Sequence, residues 1–188
     1  YISIYMSPLT NCIKNKDTKT NPIWLMRQAG RYLPEFRKIR KENQDFIKLC
    51  LNSDLASEIT LQPIKRFGFD GAVIFSDILM LPYGLGQKVE FEKNFGPKLG
   101  DINLEKIKNV DEIIFTEKVY KVYKAISKTS KDPLMINKDM IGFVGAPWTI
   151  LVYMINKSSP KKGLSSEFFK DDFLSLIHIS EPTRRPKI

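Results

Sequence analysis

The 188-residue sequence is poor in the side chains that form disulfides or hold metals, with two cysteines and one histidine. Cys12 and Cys50 lack the spacing of a disulfide framework or of a metal site, so free thiols in a reducing compartment are expected. No apolar run reaches the roughly 18 residues of a membrane span, and no basic-then-apolar leader opens the chain. No nucleotide-binding glycine loop is present either. These absences predict a cytoplasmic protein with no membrane association, bound nucleotide or metal cluster.

A net charge of +9 raises the hypothesis of a nucleic-acid-binding module. The lysines, however, are spread through predicted helices such as 105–108 and 117–131, where they are typical of solvated faces. No basic patch interleaved with aromatic residues is present. Nucleic-acid binding therefore stays an alternative that we do not favour, because an excess of positive charge serves equally well to attract a small polyanion.

Two short apolar runs, 71–75 and 141–145, are typical of strands in a parallel sheet that is covered on both faces. Between them, the apolar spacing of 110–130 predicts a helix. Strand, helix and strand in alternation favour an α/β fold.

The other segments predict helices and one loop. Residues 36–51 suit one amphipathic helix or two short ones, and Ser53 or Asp54 is placed to cap the next helix. Pro63 is expected to bend that helix or to mark its end. The Gly- and Pro-rich stretch 81–100 predicts a long functional loop or a small hairpin.

The segment 24–35 carries two arginines four residues apart, Arg27 and Arg31. The residues between them are neutral and mostly small: Gln28, Ala29 and Gly30. A guanidinium is a planar fork that fits carboxylate oxygens in pairs, and a glycine lets the backbone approach a ligand closely. The segment therefore suits a clamp for a substrate with several carboxylates. The alternative is a solvated basic turn, or a surface ion pair with Glu35.

Two further residues are candidates for the same site. Asp77 directly follows the strand 71–75, at the edge where α/β proteins bind ligands. It is either an acceptor aimed into a pocket or the cap of the next turn or helix, and spacing alone leaves both open. Tyr153 lies on the helix predicted to open at Trp148 or Thr149, where its hydroxyl would face the same mouth. The alternative is an ordinary packed tyrosine.

Three segments, 22–35, 66–79 and 142–153, resemble in order and spacing those of the uroporphyrinogen decarboxylase family. The resemblance covers residues 8–173 and implies a (β/α)8 TIM barrel, of which this chain is roughly the N-terminal half. Residues 174–188 look like translated sequencing adapter and are set aside as a non-native tail. The single histidine, His178, lies in that tail and is given no role.

The resemblance also implies an activity. Family members are cytoplasmic carboxy-lyases that convert the four acetates of uroporphyrinogen III to methyls, giving coproporphyrinogen III and CO2, without metal or organic cofactor. By this likeness Asp77 stabilises the transition state by accepting pyrrole N–H bonds. Arg27 and Arg31 hold carboxylates, and one of them helps to deliver a proton. The remaining substrate contacts come from four residues: Gln28, Ala29, Gly30 and Tyr153.

The resemblance carries two qualifications. Cobamide-dependent methyltransferases share the superfamily but use zinc held by His and Cys, ligands that this sequence does not supply. A serine and a histidine of the family site belong to the half of the barrel that this chain lacks. The resemblance implies that the full-length protein is a homodimer that acts on a small-molecule substrate. Because half of the barrel is missing, the chain alone is expected to be inactive.

Overall fold

A computed structural model describes residues 6–16, 19, 21–26, 30, 32–92 and 95–159 of the chain. Within these ranges the helices are α1 (Pro8–Asn15), α2 (Pro34–Glu42), α3 (Phe46–Cys50), α4 (Ser53–Phe67), α5 (Met80–Gly84), α6 (Leu104–Lys108), α7 (Glu112–Ser130) and α8 (Pro147–Asn156). The strands are β1 (Gly71–Val73), β2 (Val89–Glu92), β3 (Gly96–Leu99) and β4 (Asp139–Ile141). A single 3-10 turn, Pro133–Met135, precedes β4.

The strands β1 and β4 pair in parallel, with Gly71 opposite Asp139 and Val73 opposite Ile141. Parallel neighbours need a long crossover, and here the connection contains α5, a hairpin of β2 and β3, α6 and α7. The helix α4 packs on β1, and α7 packs on α4. The predicted α/β class is therefore confirmed for the described part of the chain.

The second strand lies two residues earlier than predicted, at Asp139–Ile141 instead of 141–145. Pattern reasoning discounts an aspartate in a strand, but the Asp139 carboxylate is satisfied here by donors at the start of α1. The Ser7 hydroxyl donates at 2.5 Å and the Thr10 hydroxyl at 2.6 Å. From Gly142 the chain leaves the sheet and runs towards α8.

The cap of α4 also differs from the prediction, because Asn52 takes the place expected of Ser53 or Asp54. The Asn52 side chain accepts the backbone amides of Asp54 and Leu55, both at 3.1 Å. Asparagine is as good a cap as serine or aspartate, so the pattern left the exact start of the helix open.

Pro63 does not end α4, which continues to Phe67. Proline in a helix interior removes one hydrogen bond, but Pro63 is fully buried and its packing offsets that loss. The helix ends at Gly68, whose backbone is left-handed (φ +68°) and whose amide donates to the Ile64 carbonyl. Glycine adopts this conformation without strain.

Residues 36–51 form two helices, α2 and α3, which was one of the two predicted possibilities. Asn43 ends the first by donating its side-chain amide to the Ile39 carbonyl, and Asp45 caps the second by accepting the Lys48 amide. The stretch 81–100 contains the predicted hairpin, preceded by α5, which the sequence did not predict. Among the described helices none is both long and apolar enough to cross a membrane.

The main hydrophobic core lies between the α2–α4 layer, β1 with its continuation, and α8. Its most deeply buried members are each at most 1% exposed: Leu33, Leu49, Cys50, Ala56, Ile59, Leu79 and Ala125. This core places the residues that follow β1 under a layer of helices.

Candidate active site

The carboxyl ends of β1 and β4 meet at one edge of the two-stranded sheet. The Ile74 amide donates to the Ile141 carbonyl at 3.0 Å, which extends the pairing one step beyond β1. Past this point one strand leads to Asp77 and the other leads to α8. Two of the three motif segments thus leave the sheet side by side, at the edge where α/β folds bind ligands.

Asp77 is half-buried at this edge, and its carboxylate shapes the turn into α5. Its Oδ1 accepts the Leu79 amide at 2.8 Å, and its main-chain carbonyl accepts the Met80 amide at 3.1 Å. Asp77 therefore caps the turn with one of its two carboxylate oxygens, as the capping alternative predicted. Within the described part of the chain, no hydrogen bond reaches Oδ2, so one carboxylate oxygen remains available to a ligand.

The surroundings of Asp77 disfavour its charged form. Burial raises the pKa of this carboxyl, and the hydrogen bond from the Leu79 amide opposes that rise only in part. Cys50 is fully buried close by, and its pKa is raised first by burial and then by the negative charge of Asp77. A positively charged ligand group or an N–H donor would therefore relieve an existing electrostatic penalty at Asp77.

Arg40 is a cation of this neighbourhood whose role the sequence left open. Its positive charge acts on the same Cys50 thiol, lowering the thiol pKa against the larger effect of burial. Its guanidinium carbon lies 5.3 Å from the Phe46 ring centre, and it donates to the Asn43 carbonyl. Its spacing could have indicated this position, since Arg40 follows the buried Phe36 by four residues and therefore lies on the same face of α2.

Aromatic rings support the segment that leads to Asp77. Phe75 contacts Phe36 and Phe46 edge to face, each with ring centres 5.8 Å apart. Phe46 in turn lies 4.7 Å from Phe91 of the hairpin. Such T-shaped pairs are a favoured aromatic arrangement, so the backbone two residues before Asp77 is held in a packed cluster.

The third motif segment packs directly against the second. A Cβ on Gly145 would lie 2.5 Å from the end of the Ile150 side chain and 3.2 Å from Cβ of Ile78, so a side chain there would require Ile150 to move. The helix α8 begins at Pro147, one residue before the predicted start. Tyr153 is its seventh residue, nearly two turns in, half-buried and packed on the main core. The alternative that Tyr153 is an ordinary packed residue therefore holds for the part of its side chain that contacts the core.

The arginine segment is described only at its ends. Arg27, Gln28, Ala29 and Arg31 lie outside the described residues. Gly30 is half-buried, and its carbonyl accepts the Leu33 amide at the start of α2. On the other side, Ile23 and Asp70 are joined by two hydrogen bonds, of 2.7 and 2.8 Å. Asp70 of the second motif therefore anchors the start of the first.

Among the described residues, Glu35 forms an ion pair with Arg66; the alternative pairing with Arg27 or Arg31 lies outside the described residues. Its carboxylate accepts two hydrogen bonds from Arg66, from Nε at 3.0 Å and from Nη2 at 2.7 Å. A hydrogen bond from the backbone amide of Glu35 to its own carboxylate, and then the hydrogen bond from Arg66, lower the pKa of Glu35. The pairing joins α2 to α4 across 31 positions, a distance that local spacing does not predict.

Apolar side chains near the motif segments remain exposed. Within the motif segments Phe75 is buried, whereas Met26 is 79% exposed and Trp24 and Trp148 are 40% and 45% exposed. Val144, just after β4, is 79% exposed. These apolar side chains are available for contact with further chain or with a ligand.

The half-buried carboxylate of Asp77 follows a parallel strand and lies beneath a layer of helices. This arrangement is typical of an α/β protein that binds its ligand at the carboxyl ends of its strands. Residues 5–172 match the family model described as uroporphyrinogen decarboxylase (URO-D), and the chain belongs to this family.

Curated relatives carry the same description. The chain is 41% identical over 179 residues to a uroporphyrinogen decarboxylase of Rickettsia massiliae (strain Mtu5), covering 92% of this chain and 51% of that protein. It is 47% identical over 150 residues to that of Rickettsia bellii (strain RML369-C), covering 80% and 44%. For Chelativorans sp. (strain BNC1) the identity is 48% over 134 residues, covering 71% and 39%. The chain thus spans about half the length of these relatives.

Proposed function

We propose that this chain is the N-terminal part of a uroporphyrinogen decarboxylase, a carboxy-lyase that converts uroporphyrinogen III to coproporphyrinogen III and CO2. Its fold would be the first half of a (β/α)8 barrel, with residues 8–173 as the native part and 174–188 as a non-native tail. Family membership, the parallel pairing of β1 with β4 and the half-length match to the relatives support this proposal.

The observation that carries the proposal is the position of Asp77 at the carboxyl edge of the sheet. Its pKa is raised by burial, one oxygen is held by the Leu79 amide, and the other accepts no hydrogen bond from the described residues. Pyrrole N–H groups are donors that would satisfy this oxygen. A preorganised carboxylate in a site of low polarity stabilises positive charge far better than water does.

In the proposed reaction the substrate supplies its own electron sink. Protonation of a pyrrole ring makes it an acceptor for the electron pair released when the bond between the acetate methylene and its carboxylate breaks. CO2 leaves, the methylene takes a proton to become a methyl group, and the ring gives up the proton that it had gained, so that the net change is one proton in place of CO2. Asp77 would stabilise the protonated ring throughout, and no metal or organic cofactor is required.

Substrate binding would rest on charge and hydrogen bonding. Arg27 and Arg31 would hold acetate or propionate carboxylates in bidentate pairs, one of them assisting proton delivery. Backbone or amide contacts would come from Gln28, Ala29 and Gly30, and a hydroxyl contact from Tyr153. The net charge of +9 favours encounter with a substrate that carries eight carboxylates.

The setting of the full-length enzyme is part of the same proposal. The free thiols of Cys12 and Cys50 favour a reducing compartment such as the cytoplasm. The family resemblance favours a homodimer.

The test is the Asp77→Asn variant of the full-length enzyme encoded by the gene of this chain, assayed by coproporphyrinogen formation. Asparagine still accepts the Leu79 amide but carries no charge, so kcat should fall by about 100- to 1,000-fold. Asp111→Asn is the matched control, because the Asp111 carboxylate accepts the Ile113 amide in the same way at the exposed start of α7. Full activity of Asp77→Asn would refute the assignment.

A further inference from the structure

The chain between β1 and Asp77 is held by a side chain of a helix. The last residues of the parallel ladder are Val73 and Ile141, extended by the Ile74 amide. The next amide, that of Phe75, turns away from the sheet and donates to Oγ1 of Thr60 on α4, at 2.9 Å. The end of the strand is therefore hydrogen-bonded to α4 at the residue where the strand pairing stops.

Both hydrogen-bonding capacities of the Thr60 hydroxyl are used. Its proton goes to the Ala56 carbonyl at 2.6 Å, while its oxygen accepts the Phe75 amide. Thr60 is fully buried. Because the hydroxyl proton is donated to a carbonyl of α4, a lone pair of the hydroxyl oxygen points towards the end of the strand. The hydroxyl is therefore oriented to accept the Phe75 amide.

Asp77 is only two residues beyond this anchor. The path of 75–77 is held at one end by the Thr60 bond and the Phe75 ring contacts, and at the other by the turn in which Asp77 accepts the Leu79 amide. Loss of the Thr60 acceptor would leave the Phe75 amide buried without a partner, and the segment would shift to find one.

We propose that Thr60 is a positioning residue for Asp77, acting through the backbone of Phe75. This inference rests on the proposed function of Asp77. The Thr60 side chain contacts no substrate; it holds the strand end so that the carboxylate stays in register with the reacting pyrrole. A displacement of about 1 Å at such a group lowers a rate by about 100-fold.

A matched control exists in the same core. Thr129 on α7 is also fully buried, also bonds the carbonyl four residues before it, Ala125, and also makes a second bond, to the Ser57 hydroxyl at 2.9 Å. It joins α7 to α4 and does not touch the segment that leads to Asp77. Thr129→Val thus removes an equivalent hydroxyl without disturbing the strand end.

The experiment compares Thr60→Val, Thr60→Ser and Thr129→Val in the full-length enzyme, by kcat, KM and melting temperature. Thr60→Val should lower kcat about 10- to 100-fold with little change in KM, since binding groups elsewhere are untouched. Thr60→Ser keeps the acceptor and should restore kcat. Thr129→Val should lower the melting temperature similarly and keep kcat. Equal kcat losses in Thr60→Val and Thr129→Val, or none in Thr60→Val, would overturn the proposal.

A fourth variant protects the test against misfolding. If Thr60→Val gives no soluble enzyme, Thr60→Cys replaces it, since a thiol is a weak acceptor of similar size. Its kcat should lie well below that of Thr60→Ser at unchanged KM, and a kcat equal to that of Thr60→Ser would overturn the proposal.

A double variant separates this inference from the proposed function. If Thr60 acts through Asp77, Thr60→Val should lower the residual kcat of Asp77→Asn no further. An active Asp77→Asn enzyme would refute the role of Asp77 itself. An inactive Asp77→Asn beside a fully active Thr60→Val would refute only the role of Thr60.

Discussion

The side-chain amide of Gln87 donates to the main-chain carbonyl of Met154 at 3.0 Å, linking the residues before the hairpin to the last turn of α8. The same nitrogen donates to the Gly100 carbonyl at 2.8 Å. Met154 is among the last four residues of α8, whose carbonyls have no partner within the helix. Gln87 therefore caps the turn that also carries Tyr153.

Replacing Gln87 with methionine should destabilise this chain by about 1–3 kcal/mol, because the buried carbonyl of Met154 and the half-buried carbonyl of Gly100 lose their donor. Gln62 is the matched control, since it is also buried but neither of its amide atoms has a hydrogen-bond partner among the described residues. Gln62→Met should leave stability unchanged or raise it slightly, because it removes unsatisfied polar atoms. Urea denaturation of both variants measures the difference, and equal losses would contradict the assignment.

Sequence patterns predicted those elements whose signals are local. The helix α7 follows from apolar spacing, whereas the pattern of 36–51 left one helix or two open and did not locate the break near Asn43. The helix α5 was missed because Pro82 and Gly84 are typical of loops, yet both are buried there. Burial by distant residues overrides such local propensity.

The candidate site was predictable in part. Asp77 is a candidate because an acid soon after an apolar strand lies at the edge where α/β proteins bind ligands, and the family resemblance favoured this role over that of a cap. Thr60 and Arg66 were not candidates, since their partners Phe75 and Glu35 lie 15 and 31 positions away. Asp139 was overlooked as a strand residue because its donors sit on α1, which pattern reasoning treats separately.

Asp77→Asn should stabilise this chain at neutral pH, although it lowers kcat in the full-length enzyme by about 100- to 1,000-fold. Burial raises the pKa of Asp77 in the folded state, so ionisation at neutral pH disfavours folding. The folded state binds the Asp77 proton more tightly than the unfolded state does. The free energy of unfolding therefore falls as the pH rises through the folded-state pKa. The variant should therefore melt at a higher temperature than the parent at pH 7, and the gap should close as pH falls towards 3.8, the unperturbed value. Calorimetry across this range measures it, and a gap that widens in acid would contradict the burial effect.

Asp139→Asn should loosen α1 without affecting catalysis. The Asp139 carboxylate accepts three hydrogen bonds from Ser7 and Thr10, and an amide in its place would present donors to donors. We expect a loss of about 1–3 kcal/mol in unfolding free energy and faster hydrogen exchange over 8–15. Asp132→Asn is the control, because Asp132 accepts only the Leu134 amide and asparagine caps equally well. In the full-length enzyme kcat should be unchanged, since Asp139 begins β4 and Asp77 lies beyond the opposite edge.

The isolated 188-residue chain should form no coproporphyrinogen, because half of the proposed barrel leaves its site open. Among the described residues β1 and β4 pair only with each other, so the outer edge of each strand lacks a neighbour. Apolar side chains in the motif segments are exposed, Met26 and Val144 each by 79%. Asp77 is half-buried in this chain, but the substrate contacts expected from the second half of the barrel would be missing, and the rate depends on holding the substrate in place.

Assay of the purified chain beside the full-length enzyme tests this expectation, and robust turnover by the chain alone would overturn the half-barrel interpretation. Tryptophan fluorescence supplies an independent measurement, since Trp24 and Trp148 are the only two tryptophans in the sequence and both are substantially exposed. Acrylamide should quench the chain strongly and the full-length enzyme weakly, because the second half of the barrel would cover this face. Equal quenching would mean that the missing half does not pack there, and the site would then have to be completed from another direction.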